Sequence, residues 1–481
     1  MIRALAAAAL VLALGASAAH AVLPSGVARV FHEAGIPLAN VSVIVREAGQ
    51  PQALFSHDPD RPMNPASVMK LITTYAALDL LGTDYRWKTE AYLAGKLDKK
   101  GTLTGDLVLK GYGDPKITIE QWAAFMADLK AQGLLKITGD LVLDRTYFKL
   151  PEHDPAAFDQ EPLRPYNVGP DALLVNFKAV RFAFLPEPGR NAVAVRTEPV
   201  LPDISLAGMP QLVNGDCGDW RATIAAEYTN YGSSATAAFP GRYSTSCGER
   251  DWYVSLLDHP HYVLGMFTTY FRDKGGQFEG GVIEGRPPRN ATPFAVMESP
   301  PLYDIVRDVN KLSNNVMARQ IFLTLATTKH PPPATPALAA DVVHKWVKEK
   351  KLNMPGLVLE NGSGLSRRER ATAAGLAHLL ASADASKVRE EFASSLAVAA
   401  MDGTVQKRFR DGTVAGQALL KTGSLEGVRA LAGYVIDASG RRFIVVAMIN
   451  HPNAWRGGAA LDYLVQWVYL EGASFNPALH K

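Results

Sequence analysis

Hydrophobic and polar positions alternate from Val41 to Val45, give way to the turn formers Ala48-Gly49-Gln50-Pro51, and return to an apolar run at Ala53-Leu54-Phe55. That period of two predicts a hairpin. Near the other end, Leu431 to Ile436 and Phe443 to Ile449 flank the turn Asp437-Ala-Ser-Gly440, and Gln417 to Thr422 adds one more apolar run. Five strands drawn from both ends of the chain predict one antiparallel sheet, closed over by an apolar helix at Ala459 to Leu470.

The pattern changes twice in between. A hexapeptide occurs twice, as Thr104-Gly-Asp-Leu-Val-Leu109 and Thr138-Gly-Asp-Leu-Val-Leu143, each copy a turn feeding a strand. Two copies are too few for a solenoid and read as equivalent strands of one sheet, with a helix between Ile117 and Leu135. Short strands and turns continue from Val193 to Ile283, and Gly285-Arg-Pro-Pro-Arg-Asn290 reads as a linker. The chain then turns helical at Tyr303 to Val309, Asn315 to Ala326, Leu338 to Glu349, Ala371 to Ala383 and Glu391 to Ala400.

Residues 22–90 and 291–481 are therefore expected to form one α/β (α+β) domain split in sequence. Residues 91–290 are expected to form an inserted, mainly β domain with a nested subdomain at about 115–195. Met1 to Ala21 has the form of a secretory signal: Arg3, an apolar core from Ala4 to Leu14, and the small-x-small site Ala19-His20-Ala21. No later stretch reaches the roughly 20 apolar residues of a membrane helix, so an exported protein without a stable membrane anchor is expected.

Of the residues, 47% are hydrophobic and 20% charged, enough for two or three cores. The net charge of +3 is small, and no Lys/Arg block with interleaved aromatics marks a nucleic-acid surface. Cys217 and Cys247 are the only cysteines. In an oxidising compartment their pairing as a structural disulfide is favoured over a metal site or a thiol nucleophile.

Three short runs carry the chemistry: Ser67-Val-Met-Lys70, Ser313-Asn-Asn315 and Lys421-Thr-Gly423. A chain this long holds on the order of one Ser-x-x-Lys and one Ser-x-Asn by accident, so each run alone is weak. Indeed Ser474-Phe-Asn476 is a second Ser-x-Asn. Their order and surroundings add weight. Ser67 opens a helical run, Val68 to Leu81, and Lys70 at i+3 shares its face, where a neutral amine can take the hydroxyl proton. Ser313 lies at a break between helices and can relay a proton, while Asn315 can offer its amide to a peptide. Lys421 ends an apolar strand. With Thr422 it can hold a carboxylate, Gly423 permits close approach, and the N–H groups of Ser424 and Ser67 can form an oxyanion hole. The bland alternatives are a capping serine beside a surface lysine, a helix-capping pair, and an edge-strand lysine.

Together the runs resemble those of the serine penicillin-recognising enzymes. Ser67 and Ser313 are 246 positions apart, and that insertion makes the chain more similar to D-alanyl-D-alanine carboxypeptidase/endopeptidases of the penicillin-binding protein 4 type. Further text like theirs is Gly113-Asp-Pro115, Gly139 to Asp144, Gly362-Ser-Gly-Leu-Ser-Arg367, Asp402-Gly-Thr404 and Ser424-Leu425. Asn361 departs from their usual Asp and removes a charge. The resemblance implies a penicillin-binding/β-lactamase-like transpeptidase fold, catalysis by Ser67, Lys70, Ser313 and Lys421, and substrate binding by Asn315, Thr422, Gly423 and Ser424. It also implies periplasmic action on peptidoglycan stem peptides, inhibition by β-lactams and no cofactor. A β-lactamase or esterase on the same fold and a non-catalytic peptidoglycan-binding sensor remain as alternatives. A Ser-His-Asp hydrolase lacks its Gly-x-Ser-x-Gly elbow, and His32-Glu33 lacks the second histidine of a zinc motif.

Overall fold

The computed structural model describes residues 23–475 except Asp411 and Ala473; the signal-like segment lies outside them. The strands predicted from both chain ends do meet in one antiparallel sheet. Its order is Ala397–Val398, Ala418–Leu425, Val428–Ile436, Arg442–Asn450, Val41–Glu47 and Phe55–His57. Val41 faces Ile449 and Lys421 faces Ala432, which fixes the register across the join.

There are six strands, not five. The extra one, Ala397–Val398, falls where a helix over Glu391 to Ala400 is expected; the helix is only Arg389–Ser394. The Asp402 carboxylate accepts the Val398 N–H at 2.8 Å, and Ala399 N–H donates to Ala418 O at 2.9 Å, so tertiary partners claim the groups a helix would use.

The sheet is covered on both faces, which explains the unbroken burial of Phe443 to Ile449. Ile444, Val446 and Met448 face a helical layer that includes Lys70–Leu81, Leu302–Leu312, Asn315–Ala326, Pro336–Glu349 and Ala373–Asp384. Val445, Ala447 and Ile449 face Ser25–Glu33 and Gly458–Glu471. Helix Lys70–Leu81 is buried from Lys70 through Leu78 on every side, so it is the spine of the layer.

The inserted β region has a seven-stranded sheet whose strands lie between Lys88 and Glu298. Its two hexapeptide copies pair side by side and in parallel, Leu107 with Leu141, Val108 with Val142 and Leu109 with Leu143. Repetition in sequence has become repetition in register. Helices Ile119–Ala131, closed by a Thr118–Gln121 capping box, and His259–Asp273 pack with it on a shared core. Three small sheets occupy residues 180–254, where Cys217 and Cys247 form a disulfide. Among the described residues no helix is long and apolar enough to cross a membrane.

Candidate active site

Ser67 sits in a tight turn, Ala66–Met69, just ahead of helix Lys70–Leu81 and not in its first α-helical turn. Ala66 is held at a φ of +47°, a conformation that costs an L-residue on the order of 1 kcal/mol. Asn64 compensates. Its Oδ1 accepts the Ala66 N–H at 2.9 Å, its own N–H donates to Asn450 Oδ1 at 2.8 Å, and its Nδ2 donates to Ser366 O at 2.8 Å.

Lys70 is fully buried, and its three donor directions are all used. Nζ meets Ser67 Oγ at 2.9 Å, Asn315 Oδ1 at 2.6 Å and the carbonyl of Ser363. Burial pushes the Lys70 amine well below its ordinary range, Lys421 and Arg319 push the same way, and Glu369 opposes them. A lysine destabilised as a cation and touching a serine hydroxyl can accept that hydroxyl's proton.

Ser313 occupies the left-handed position, φ +58°, that ends helix Leu302–Leu312. Asn314 then caps helix Asn315–Ala326, its Oδ1 accepting the Met317 N–H at 3.0 Å. This back-to-back ending and starting sets Ser313 against Lys421 and leaves Asn315 on the first turn beside Lys70. Because the Asn315 carbonyl oxygen is engaged by Lys70, its NH₂ group is the part able to meet a peptide carbonyl.

Lys421 is also fully buried and donates to Ser313 Oγ at 2.8 Å and Thr422 O at 3.0 Å. Burial brings it down to about 7, so it can give up or hold a proton near neutrality. A Cβ on Gly423 would lie 2.5 Å from Pro65 O and 3.2 Å from Ser67 N; only glycine lets this strand run so close to the Ser67 turn. The neighbouring strand Ala397–Val398 pairs with this one only through Leu419 and Leu420, so from Lys421 to Leu425 that side of the strand is an unpaired edge. Thr422 and the exposed Ser424 lie along it.

The structure thus brings together two hydrogen-bonded groups, Ser67–Lys70–Asn315 and Ser313–Lys421, close enough for the two lysines to repel each other, with Thr422 to Ser424 following Lys421 along its strand. It adds residues the sequence reading did not single out. Buried Glu369 accepts the N–H groups of Glu360, Asn361 and Gly362 on Oε1 at 3.0, 2.9 and 2.9 Å, and that of Gly364 on Oε2 at 2.9 Å. Burial raises its pKa while those N–H groups and Lys70 lower it. The loop so gathered presents the Ser363 carbonyl to Lys70 and packs Gly364 on the Ala66 backbone. Nothing in the basic run Arg367-Arg368-Glu369-Arg370 distinguishes this glutamate from a surface charge.

Asn361 keeps what an aspartate would do there, accepting from Ser363 N at 2.9 Å and Ser363 Oγ at 2.7 Å. It also donates to Leu365 O at 3.0 Å, which a carboxylate cannot. Arg319, nine-tenths buried and pushed down to about 10 by burial, donates to Val168 O at 3.0 Å and so links the helical layer to the inserted region. The guanidinium of Arg367 stands 4.7 Å over the Phe158 ring, a second link. His32 lies on Ser25–Glu33, on the opposite face of the sheet from this cluster.

Residues 24–468 match the model of the D-Ala-D-Ala carboxypeptidase 3 (S13) family. The chain is 28% identical over 432 residues to a D-alanyl-D-alanine carboxypeptidase of Actinomadura sp. (strain R39), covering 85% of this chain and 77% of that one. It is 25% identical over 414 residues to D-alanyl-D-alanine carboxypeptidase DacB of Haemophilus influenzae, covering 86% and 85%. The crystal structure of penicillin binding protein 4 from Haemophilus influenzae superposes with a TM-score of 0.75 at 23% identity, covering 92% of this chain and 99% of that one.

Proposed function

Since the chain belongs to the D-Ala-D-Ala carboxypeptidase 3 (S13) family, we propose that it cleaves peptidoglycan stem peptides through an ester on Ser67. Ser67 Oγ attacks the carbonyl between two D-alanines while Lys70, as the neutral amine, takes its proton. The oxyanion rests on the N–H groups of Ser67 and Ser424. As the C–N bond breaks, Ser313 passes its proton to the departing amine and is reprotonated from Lys421. Lys421, left neutral, recovers the proton that Lys70 took from Ser67, so Lys70 is again a neutral amine. Lys70 then takes a proton from water as the water attacks the ester and returns it to Ser67 Oγ as the ester bond breaks, freeing the peptide. The substrate backbone lies along the Lys421 to Leu425 edge, with its amide contacts shared by Asn315 and its terminal carboxylate on Thr422 and Lys421.

The observation that carries this reading is the buried Lys70 bridging Ser67 Oγ and Asn315 Oδ1, with Lys421 beside Ser313 as a second buried amine. A cross-link whose inner residue bears a carboxylate satisfies the same edge, so the reading includes endopeptidase cleavage. A β-lactam, which also presents a carboxylate beside a strained amide, forms a long-lived ester on Ser67. The signal-like segment and the stem-peptide substrate agree on the periplasm.

Purified protein is expected to release D-alanine from a stem pentapeptide and to turn over nitrocefin slowly. Fast nitrocefin hydrolysis without D-alanine release would favour a β-lactamase. Activity on neither would leave a sensor as the better account.

A further inference from the structure

The turn Asp402-Gly-Thr404 takes no part in the proton transfers above, yet it is held from several directions. Asp402 Oδ1 accepts the Val398 N–H at 2.8 Å, and Oδ2 accepts from Lys311 Nζ at 2.5 Å. Lys311 Nζ also donates to Leu396 O at 3.0 Å. Gly403, at φ +57°, is pressed so near Lys311 that a Cβ would lie 2.7 Å from its carbonyl oxygen and from Ala397 Cβ. The next residue, Thr404, is exposed, and its Oγ1 lies 2.7 Å from Thr422 Oγ1. Lys311 stands two residues before Ser313, so one short framework spaces Ser313, Thr404 and Thr422.

A threonine hydroxyl has one proton to give and two lone pairs to fill. In the empty cleft Thr422 can spend its proton on Thr404. When a carboxylate arrives, that proton is wanted by the carboxylate, and the Thr422 oxygen is best served by a donor behind it. Thr404 is the hydroxyl in that place.

We propose that Thr404 is a positioning residue for the terminal carboxylate of the substrate: it donates to Thr422 Oγ1 and so commits the Thr422 proton to the carboxylate. This rests on the peptidase reading and adds to it a determinant of specificity for ligands that end in a free acid. The effect is confined to such ligands, because an uncharged end makes little demand on the Thr422 proton.

Steady-state hydrolysis would be compared for two peptides, one ending in D-alanyl-D-alanine and the other in its C-terminal amide, in the wild type, Thr404→Val and Thr404→Ser. Valine keeps the shape and removes the hydroxyl. The expected result is a KM for the free acid raised about fivefold in Thr404→Val with kcat little changed, an amide kcat/KM within about twofold of wild type, and restoration in Thr404→Ser. Equal losses on both peptides, no loss on the free acid, or a Thr404→Ser variant that behaves like Thr404→Val would overturn the assignment while leaving the peptidase reading intact. If the valine variant is poorly folded, the serine variant decides: a free-acid KM unlike wild type counts against Thr404. A wild type that hydrolyses neither peptide overturns both readings.

Discussion

Replacing Gly364 by alanine tests how the Ser67 turn is held. Gly364 has φ +81°, and a Cβ there would run into the Ala66 carbonyl and lie 2.8 Å from Ser67 N. These are backbone atoms, unable to swing aside. The left-handed conformation costs about 1–2 kcal/mol for alanine, and overpacking a tight contact about 1–3 kcal/mol more, so roughly 2–5 kcal/mol must be absorbed. The loop can relieve it by backing away from Ser67. That movement takes the Ser363 carbonyl from Lys70 and weakens the Gly364 N–H bond to Glu369. Displacements near 1 Å cost up to about 10²-fold in rate. The assay is the second-order rate of acylation by a fluorescent penicillin, paired with thermal denaturation. Gly364→Ala is expected to acylate at least about tenfold more slowly and to melt lower, by about 2–4 °C for each kcal/mol not relieved by movement. Acylation at the wild-type rate with an unchanged melting temperature would refute the packing argument.

Three further outcomes follow from the same geometry. Glu369→Gln sets an NH₂ group against N–H donors and removes the carboxylate that steadies the Lys70 cation, whose other charged neighbours, Lys421 and Arg319, both oppose it. The protein is expected to lose about 1–3 kcal/mol, and the acid limb of acylation to move to lower pH, since Lys70 becomes neutral sooner; an unmoved or raised limb counts against that role. Burial lifts Asp114 from 3.8 to about 7, so the folded state keeps its proton longer than the unfolded chain and stability is lost as pH rises through that window. Asp114→Asn should match the wild type at about pH 4 and exceed it above about pH 7 by up to roughly 4 kcal/mol, as denaturant titration at the two pH values would measure. Replacing Cys217 and Cys247 by serine opens a loop of separation 30 and should cost about 3–4 kcal/mol by urea melts, while penicillin acylation stays near wild type.

The residues of the proposed site were legible in the chain because acyl transfer needs specific residue types, and Ser67, Lys70, Ser313 and Lys421 stand in runs that the structure brings close together. The main sheet was legible because its two hairpins keep a short period and clear turns. The repeated hexapeptide announced its own pairing. Other features depend on partners far away in sequence. The Ala397–Val398 strand follows an apolar helical pattern and exists because Asp402 and Ala418 claim its backbone. Glu369 looks like one charge among arginines until the loop folds around it. Thr404 gains meaning only from the 2.7 Å that separate it from Thr422. Ser67 was expected in the first helical turn, but the Asn64 and Asn450 network draws it into the tighter turn before the helix.

The central claim is an ester on Ser67, and its most direct measurement is the mass of the protein and of its peptides after incubation with penicillin. The account predicts one adduct on the peptide containing Ser67, formed in the wild type and lost in Ser67→Ala. An adduct that persists in Ser67→Ala, or a wild type that takes up none, would contradict it.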